Sequence, residues 1–181
     1  GTQSRRQVPL TPHEMRRLLK SKIFTSRADL EVVYGLYHAF FEGITRFTTS
    51  IRWEWMGWGN KESKQLGVLL PHFTAFTLLS LQGNLKMTSL PDLSQYGGLQ
   101  ELLLGEMVRL RSLPDLSKCK ALNTLVLNSC LQLRSLPDLS KNVALRTLNL
   151  SHCVRLKSLP DLSKNFALHT LVLDHCDRLK P

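Results

Sequence analysis

Histidines and cysteines are the side chains here with the most chemistry in them, and their spacing limits what that chemistry could be. Cys130, Cys153 and Cys176 recur every 23 residues, His152 and His175 directly precede two of them, and His169 lies nearby. A thiolate beside an imidazole would be a nucleophile. If the cysteines form an inward ladder, however, neighbouring histidines point the other way and the pair does not form. Asp92, Asp115, Asp138 and Asp161 share the same period. Calcium sites gather several carboxylates in one loop, whereas each of these stands alone, placed to accept hydrogen bonds from backbone N–H groups of its own turn. There is no Cys-x-x-Cys or His-x-x-x-His spacing for zinc, no glycine-rich phosphate loop, no Gly-x-Ser-x-Gly and no His-Glu-x-x-His. The expectation is therefore a protein that is not an enzyme, with no catalytic residue, cofactor or metal.

The elements that position these residues follow from the same period. Ser-Leu-Pro-Asp-Leu-Ser occurs at Ser89–Ser94, Ser112–Ser117, Ser135–Ser140 and Ser158–Ser163. Each copy is followed by one apolar skeleton: Leu99, Leu102, Leu104, Leu110, then Leu122, Leu125, Leu127, Leu133, then Leu145, Leu148, Leu150, Leu156. The register extends back through Phe76, Leu79, Leu81 and Met87 and forward through Leu168, Leu171, Leu173 and Leu179. Two leucines at spacing two point to one side of a short strand, and stacking such strands at ~4.8 Å turns each leucine position into a buried column.

Leu-x-x-Leu-x-Leu at this period resembles the leucine-rich repeat, across 106 of the 181 residues. The resemblance implies an α/β solenoid with short parallel strands and an outer leg turned by proline rather than by a long helix. It also implies that the position of Cys130, Cys153 and Cys176, held by Asn84 and Met107 in earlier coils, closes the turn after the strand with a small buried group. Cys119 shares a second position with Asn142 and Asn165. All four cysteines are read as reduced structural thiols, since three in a ladder cannot all pair. The repeats are also similar to those of plant immune receptors, without their nucleotide-binding domain, and to bacterial ubiquitin-ligase effectors, without their catalytic domain.

Residues 1–10 read as a flexible basic arm carrying Arg5 and Arg6, residues 11–75 as an N-terminal helical cap with an atypical first coil, and residues 76–181 as five 23-residue coils, the last incomplete. Thr11-Pro12-His13-Glu14 is a capping box that starts a helix to about Lys22. Ser26 to Asp29 opens a second. Its Leu30, Val33, Tyr34, Tyr37, Phe40, Phe41 and Ile44 form one apolar stripe, expected to cover the open end of the solenoid. Ser50 to Trp55 alternates like a strand, with Ile51 and Trp53 each 28 residues before Leu79 and Leu81. A helix from Asn60 as cap to Leu70, with Leu66, Val68, Leu69 and Leu70 inward, would return from it. With the turn at Trp55-Met56-Gly57-Trp58-Gly59, this stretch resembles the lead-in of leucine-rich-repeat proteins of algal protists.

Net charge is +10, with 11 basic and 6 acidic residues before residue 76 and 13 and 8 after it. Such a balance favours partners with an acidic face without forming a polybasic tail. The best apolar run, Leu66 to Leu81, is broken by Pro71, His72, Thr74 and Thr77, so membrane contact is expected only peripherally or through a partner. The compartment is expected to be a reducing one or an organelle reached after loss of a targeting segment.

Five columns are expected to face away from the leucines. They run from Thr77, Leu78, Ser80, Gln82 and Gly83 in the first coil to His169, Thr170, Val172, Asp174 and His175 in the last. Polar groups around an apolar middle row are the texture of a protein contact surface, and Leu103, Val126, Asn149, Val172, Asn128, Asp174, Arg146 and His169 are the candidate residues on this concave face. A basic ridge of Lys86, Arg109, Arg155 and Arg178, with Arg111, Arg134, Lys157 and Lys180 two residues on, should run beside it. The aspartate ladder is expected to neutralise it in part. The ridge lacks interleaved aromatics, which argues against nucleic acid. The expected function is a non-catalytic protein-interaction module, as a structural or assembly subunit of a larger complex, an organellar one included. The alternative is a free recognition domain, receptor- or effector-like, that binds a partner on its concave sheet.

Overall fold

The computed structural model describes residues 7–22 and 27–180; the basic arm at Arg5 and Arg6 and the helix cap at Ser26 lie outside them. Helix α1, Pro12–Lys20, opens on the expected capping box: the Glu14 carboxylate accepts from the Thr11 N–H at 2.8 Å, and the Glu14 N–H donates to Thr11 Oγ1 at 3.3 Å. It ends two residues sooner than the sequence suggests, at Ser21, whose N–H bonds back into the last turn. Helix α2, Arg27–Phe47, packs against α1, with an exposed Arg16–Glu31 ion pair at 2.9 Å between them and the Arg16 guanidinium over the Tyr34 ring.

Strand β1, Ser50–Arg52, then begins a six-stranded parallel sheet that runs in chain order through β2 (Leu78–Ser80), β3 (Glu101–Leu103), β4 (Thr124–Val126), β5 (Thr147–Asn149) and β6 (Thr170–Val172). Ile51 pairs with Leu79 across the 28-residue offset, and Leu79, Leu102, Leu125, Leu148 and Leu171 then pair at 23. The columns inside are dry: Leu79, Leu81, Leu102, Leu104, Leu125, Leu127, Leu148 and Leu150 are fully buried. After helix α3 (Asn60–Leu69) and its 3₁₀ extension Leu70–His72, the described coils return without further helix.

Three local expectations are corrected. The cap of α3 is Gly59, whose N–H donates to the Glu62 carboxylate at 2.8 Å. Asn60 instead turns its side-chain oxygen to the N–H and hydroxyl of Thr88, tying the opening coil to the next. Val68 points outward, 57 % exposed, because α3 buries only the stripe of Ser63, Leu66 and Leu69. The α2 stripe covers the solenoid only in part. Phe41 is buried in the same core as Ile51 and Leu79, and Tyr37 packs against that core with its hydroxyl on the Leu10 carbonyl, but Val33, Phe40 and Ile44 stay exposed because the helix leans mainly on α1 and on His72.

After every strand the chain leaves the sheet through one residue with positive φ: Gly83, Glu106, Ser129, His152 and His175, between 56° and 70°, with Trp55 at 55° in the opening coil. These positions are turn residues rather than strand residues, as the sequence reading had them. Only the first regular coil uses glycine, and it must, because the Trp55 ring lies within 2.2 Å of where a Cβ on Gly83 would be. Just beyond sits the turn-closing ladder. Asn84 Nδ2 donates to the carbonyls of Trp53 and Leu81, both at 2.8 Å, and its Oδ1 accepts from the Trp58 N–H. Cys130, Cys153 and Cys176 each donate Sγ–H to a carbonyl 26 residues earlier, on Leu104, Leu127 and Leu150, at 3.4, 3.2 and 3.1 Å. Met107 has no donor to give.

Two measurements check this account. Ser129 carries the left-handed cost of a residue with a Cβ, so Ser129→Gly is expected to raise the urea unfolding free energy by ~1 kcal/mol, and Ser129→Val to lower it. Burial raises the thiols, Cys119 to about 11 and Cys153 to about 12. Iodoacetamide at neutral pH should therefore modify half-exposed Cys176 first and leave Cys119, Cys130 and Cys153 untouched until unfolding. Because these folded values lie above the free thiol value of ~8.5, the stability they contribute is complete below that pH and is lost as pH rises towards about 11 and 12.

Candidate functional site

The open face of the sheet is built by backbone ladders that place matching side chains side by side. Asn123 N donates to the Gln100 carbonyl at 2.8 Å, Arg146 N to Asn123 at 2.8 Å and His169 N to Arg146 at 3.1 Å, which sets Gln100, Asn123, Arg146 and His169 in one row. Beside this row lies a shallow cavity of about 300 Å³, floored by Ala121, Ala144 and Ala167 and walled by Gln100, Asn123 and Arg146. The middle row is Leu103, Val126, Asn149 and Val172, all half-buried. The next row holds Asn128, whose amide oxygen overhangs Gly105, and exposed Asp174.

All eight expected residues thus lie on this one face, but their side chains are not equally available. Asn149 Oδ1 already accepts from the N–H and hydroxyl of Ser151, at 3.0 and 2.9 Å. Arg146 and His169 are exposed, and His169 Nδ1 lies 2.9 Å from the Thr170 hydroxyl. The face does not extend over β2. Leu78 and Ser80 are buried, the small Ser80 standing in register between the longer side chains of Arg52 and Leu103.

The ridge assembles as well. Lys157 N donates to the Arg134 carbonyl and Lys180 N to the Lys157 carbonyl, each at 3.2 Å, so the second row stacks coil on coil. Every one of Lys86, Arg109, Arg111, Arg134, Arg155, Lys157, Arg178 and Lys180 is exposed. Arg155 donates to Gln132, which fills the gap in the first row, at 2.5 Å. No ion pair among the described residues joins the ridge to an acid. The aspartates are occupied elsewhere: Asp92, Asp115, Asp138 and Asp161 each accept from the N–H two residues on, of Ser94, Ser117, Ser140 and Ser163, at 2.8 Å. That bond, followed by the serine hydroxyl, holds Asp92, Asp138 and Asp161 below the usual carboxylate range. They serve the turns, stay ionised there, and form no ion pair with the ridge among the described residues.

The histidines and thiols are kept apart. His152 and His175 lie against each other outside, ring centres 4.5 Å apart and planes tilted by 39°, while Cys153 and Cys176 turn inward to carbonyl oxygens. Among the concavities that the sequence reading did not foresee is a cavity of about 490 Å³ between α2 and β1. The signal was present in the second helix, whose apolar stripe is wider than one buried neighbour can use.

No protein-family model and no curated protein sequence matches the chain. Among solved structures it is similar to the functional domain of InlJ from Listeria monocytogenes, described as including a cysteine ladder, at 20% identity over 61% of this chain and 32% of that one, with a TM-score of 0.33. It is also similar to the leucine-rich repeat domain of the type III effector XopL, at 17% identity over 93% of this chain and 82% of that one, TM-score 0.34. A leucine-rich-repeat protein of Leptospira interrogans follows at 22% identity, 62% and 39% coverage and a TM-score of 0.30. The chain thus spans about a third of the length of the first of these and well under half of the last. What assigns the fold is internal to the chain, namely five strands paired in parallel at a fixed offset of 23 residues around dry leucine columns. By that register the chain folds as a leucine-rich-repeat solenoid with short parallel strands and N-terminal helices.

Proposed function

We propose that the chain is a protein-interaction module whose contact surface is the open face of β3 to β6. The observation that carries this reading is the middle row of Leu103, Val126 and Val172, apolar side chains left half-buried on a sheet face and rimmed by Gln100, Asn123, Arg146, His169 and Asp174. A hydrophobic centre inside a polar rim is how protein contact surfaces are arranged. The exposed ridge beside it, joined to no acid by an ion pair among the described residues, supports a partner with an acidic face, drawn in by long-range attraction. Peripheral contact with anionic headgroups fits the same ridge; no helix of the described residues is long and apolar enough to cross a membrane.

Between a subunit of a larger assembly and a free recognition domain, we favour the subunit. Val32, Leu36, Phe40 and Phe47 on α2 are each at least 60 % exposed, and a contiguous apolar surface of that kind is usually covered by another protein. The thiol ladder, each Sγ–H spent on a carbonyl, suits a reducing compartment.

Val126→Glu with Val172→Glu places two charges on the middle row while leaving the leucine columns intact. Co-purification from a cell extract followed by mass spectrometry is expected to lose at least one partner that the unmodified chain retains, with the circular dichroism spectrum unchanged. An identical partner list would remove the open face from consideration.

A further inference from the structure

Beyond the sheet's first strand lies a surface whose polar groups have nearly all been spent, and the few left over specify what fits it. The cavity of about 490 Å³ between α2 and β1 is walled by Phe40, Phe41, Ile44, Ile51, Trp53 and Phe73. Three of the four hydroxyls along it are committed elsewhere, since Tyr37 donates to the Leu10 carbonyl, Thr45 to Phe41 and Thr48 to Ile44, which leaves that of Ser50 on the strand itself. Backbone groups of β1 are divided by the parallel pairing. Trp53 N donates to the Ser80 carbonyl and Leu78 N to the Thr49 carbonyl, so the odd-numbered residues face β2. Alternation then turns the N–H and C=O groups of Ser50 and Arg52 to the opposite side, where no strand of the described residues lies. The one formal charge among the lining residues is Arg52, half-exposed and held only by Glu54 two residues along at 3.3 Å.

We propose that this groove takes an extended segment of a partner protein, which adds to the free edge of β1 as a seventh strand, sets alternate apolar side chains on Phe40, Ile44 and Trp53, and brings a carboxylate to Arg52. A lipid or other flexible apolar molecule would fill the walls but leave the strand edge unmet, whereas a strand satisfies both. The cation at the mouth selects for an acidic residue on the incoming strand. Exposure of Phe40, 67 %, and Ile44, 44 %, keeps the groove open to solvent. This inference does not rest on the open face of the sheet, since β1 lies at the opposite edge from β6 and no groove residue belongs to the middle row.

The test selects twelve-residue peptides by phage display on the full chain and measures the binding of the enriched ones by fluorescence anisotropy. The peptides are expected to alternate apolar and polar residues and to carry an acid. Their affinity should fall at least tenfold with Phe40→Asp or Ile44→Asp, and again when alternate peptide amides are N-methylated, which removes the strand donors without changing side chains. Arg52→Glu should weaken peptides with an acid and strengthen those with lysine in its place. Val126→Glu should change nothing, which separates failure here from failure of the open-face reading. No enriched peptide, affinity indifferent to Phe40→Asp, or affinity retained after N-methylation would each overturn the proposal. So would a concentration-dependent dimer in light scattering that Phe40→Asp abolishes, because the groove would then belong to a second copy of this chain.

Discussion

Lateral pairing at a fixed offset is the constraint on which everything else in this molecule depends. A single coil presents its leucines to water on both flanks; only when the next coil lands with Leu102 beside Leu79 and Leu125 beside Leu102 do they become a column with no exposed surface. Each fully buried leucine side chain is worth about 1.5–3 kcal/mol, and most of that is available only in register. A slip of one residue would send the whole set to the other face. The period of 23 is therefore conserved along the solenoid even where individual residues drift, as Asn84 becomes Met107 and then Cys130.

The same constraint explains features that otherwise look idiosyncratic. To leave the sheet and begin the outer leg without shifting register, each coil passes through a left-handed residue, and it does so with Glu106, Ser129, His152 and His175, which bear a Cβ penalty that glycine at 83 does not. The bend leaves a carbonyl of the preceding coil pointing inward. Asn84 meets that oxygen on Trp53 and a second on Leu81 of its own coil, a cysteine meets one, and Met107 meets none. Asn142 and Asn165 meet two carbonyls each, yet their own Oδ1 atoms have no partner among the described residues, in a spot where buried water would be at home. The thiols are thus hydrogen-bond donors of modest strength in a structural slot, with their ionisation suppressed by burial.

Repetition made the solenoid legible, because a column is a statement about equivalent positions and the sequence prints those positions five times. The strand partners, the offset of Ile51 from Leu79, the inward thiols and the capping role of the aspartates could all be read that way. What periodicity could not settle was where single side chains go in elements that occur once. The helix α2 has an apolar stripe wide enough to suggest a lid, but periodicity says only that a stripe exists and is silent on which neighbour takes it; Phe41 and Tyr37 are used, and Phe40 and Ile44 are not. The Asn60 side chain had two chemically equal destinations, its own helix end and Thr88, and the choice was made by the docking of α3 on the first coil. Ser80 has the pattern of an open-face residue and is buried because of what flanks it across the sheet.

The aspartates decide how the outer surface reads electrostatically. Had their carboxylates faced the arginine rows, ridge and ladder would have formed a mixed belt of weak, solvated pairs, each worth at most ~1 kcal/mol, with little field beyond it. Instead every aspartate is folded back onto the serine two residues on, whose N–H bond stabilises the ionised carboxylate without bringing it into an ion pair with the ridge. Neighbouring cations of the ridge sit on coils ~4.8 Å apart, inside one Debye length of each other at physiological salt. Such a row repels itself and is held together by the stacking of leucines beneath it. Part of the stability of the columns is thereby spent on holding like charges in a line, which is an arrangement that an acidic partner relieves and water alone does not.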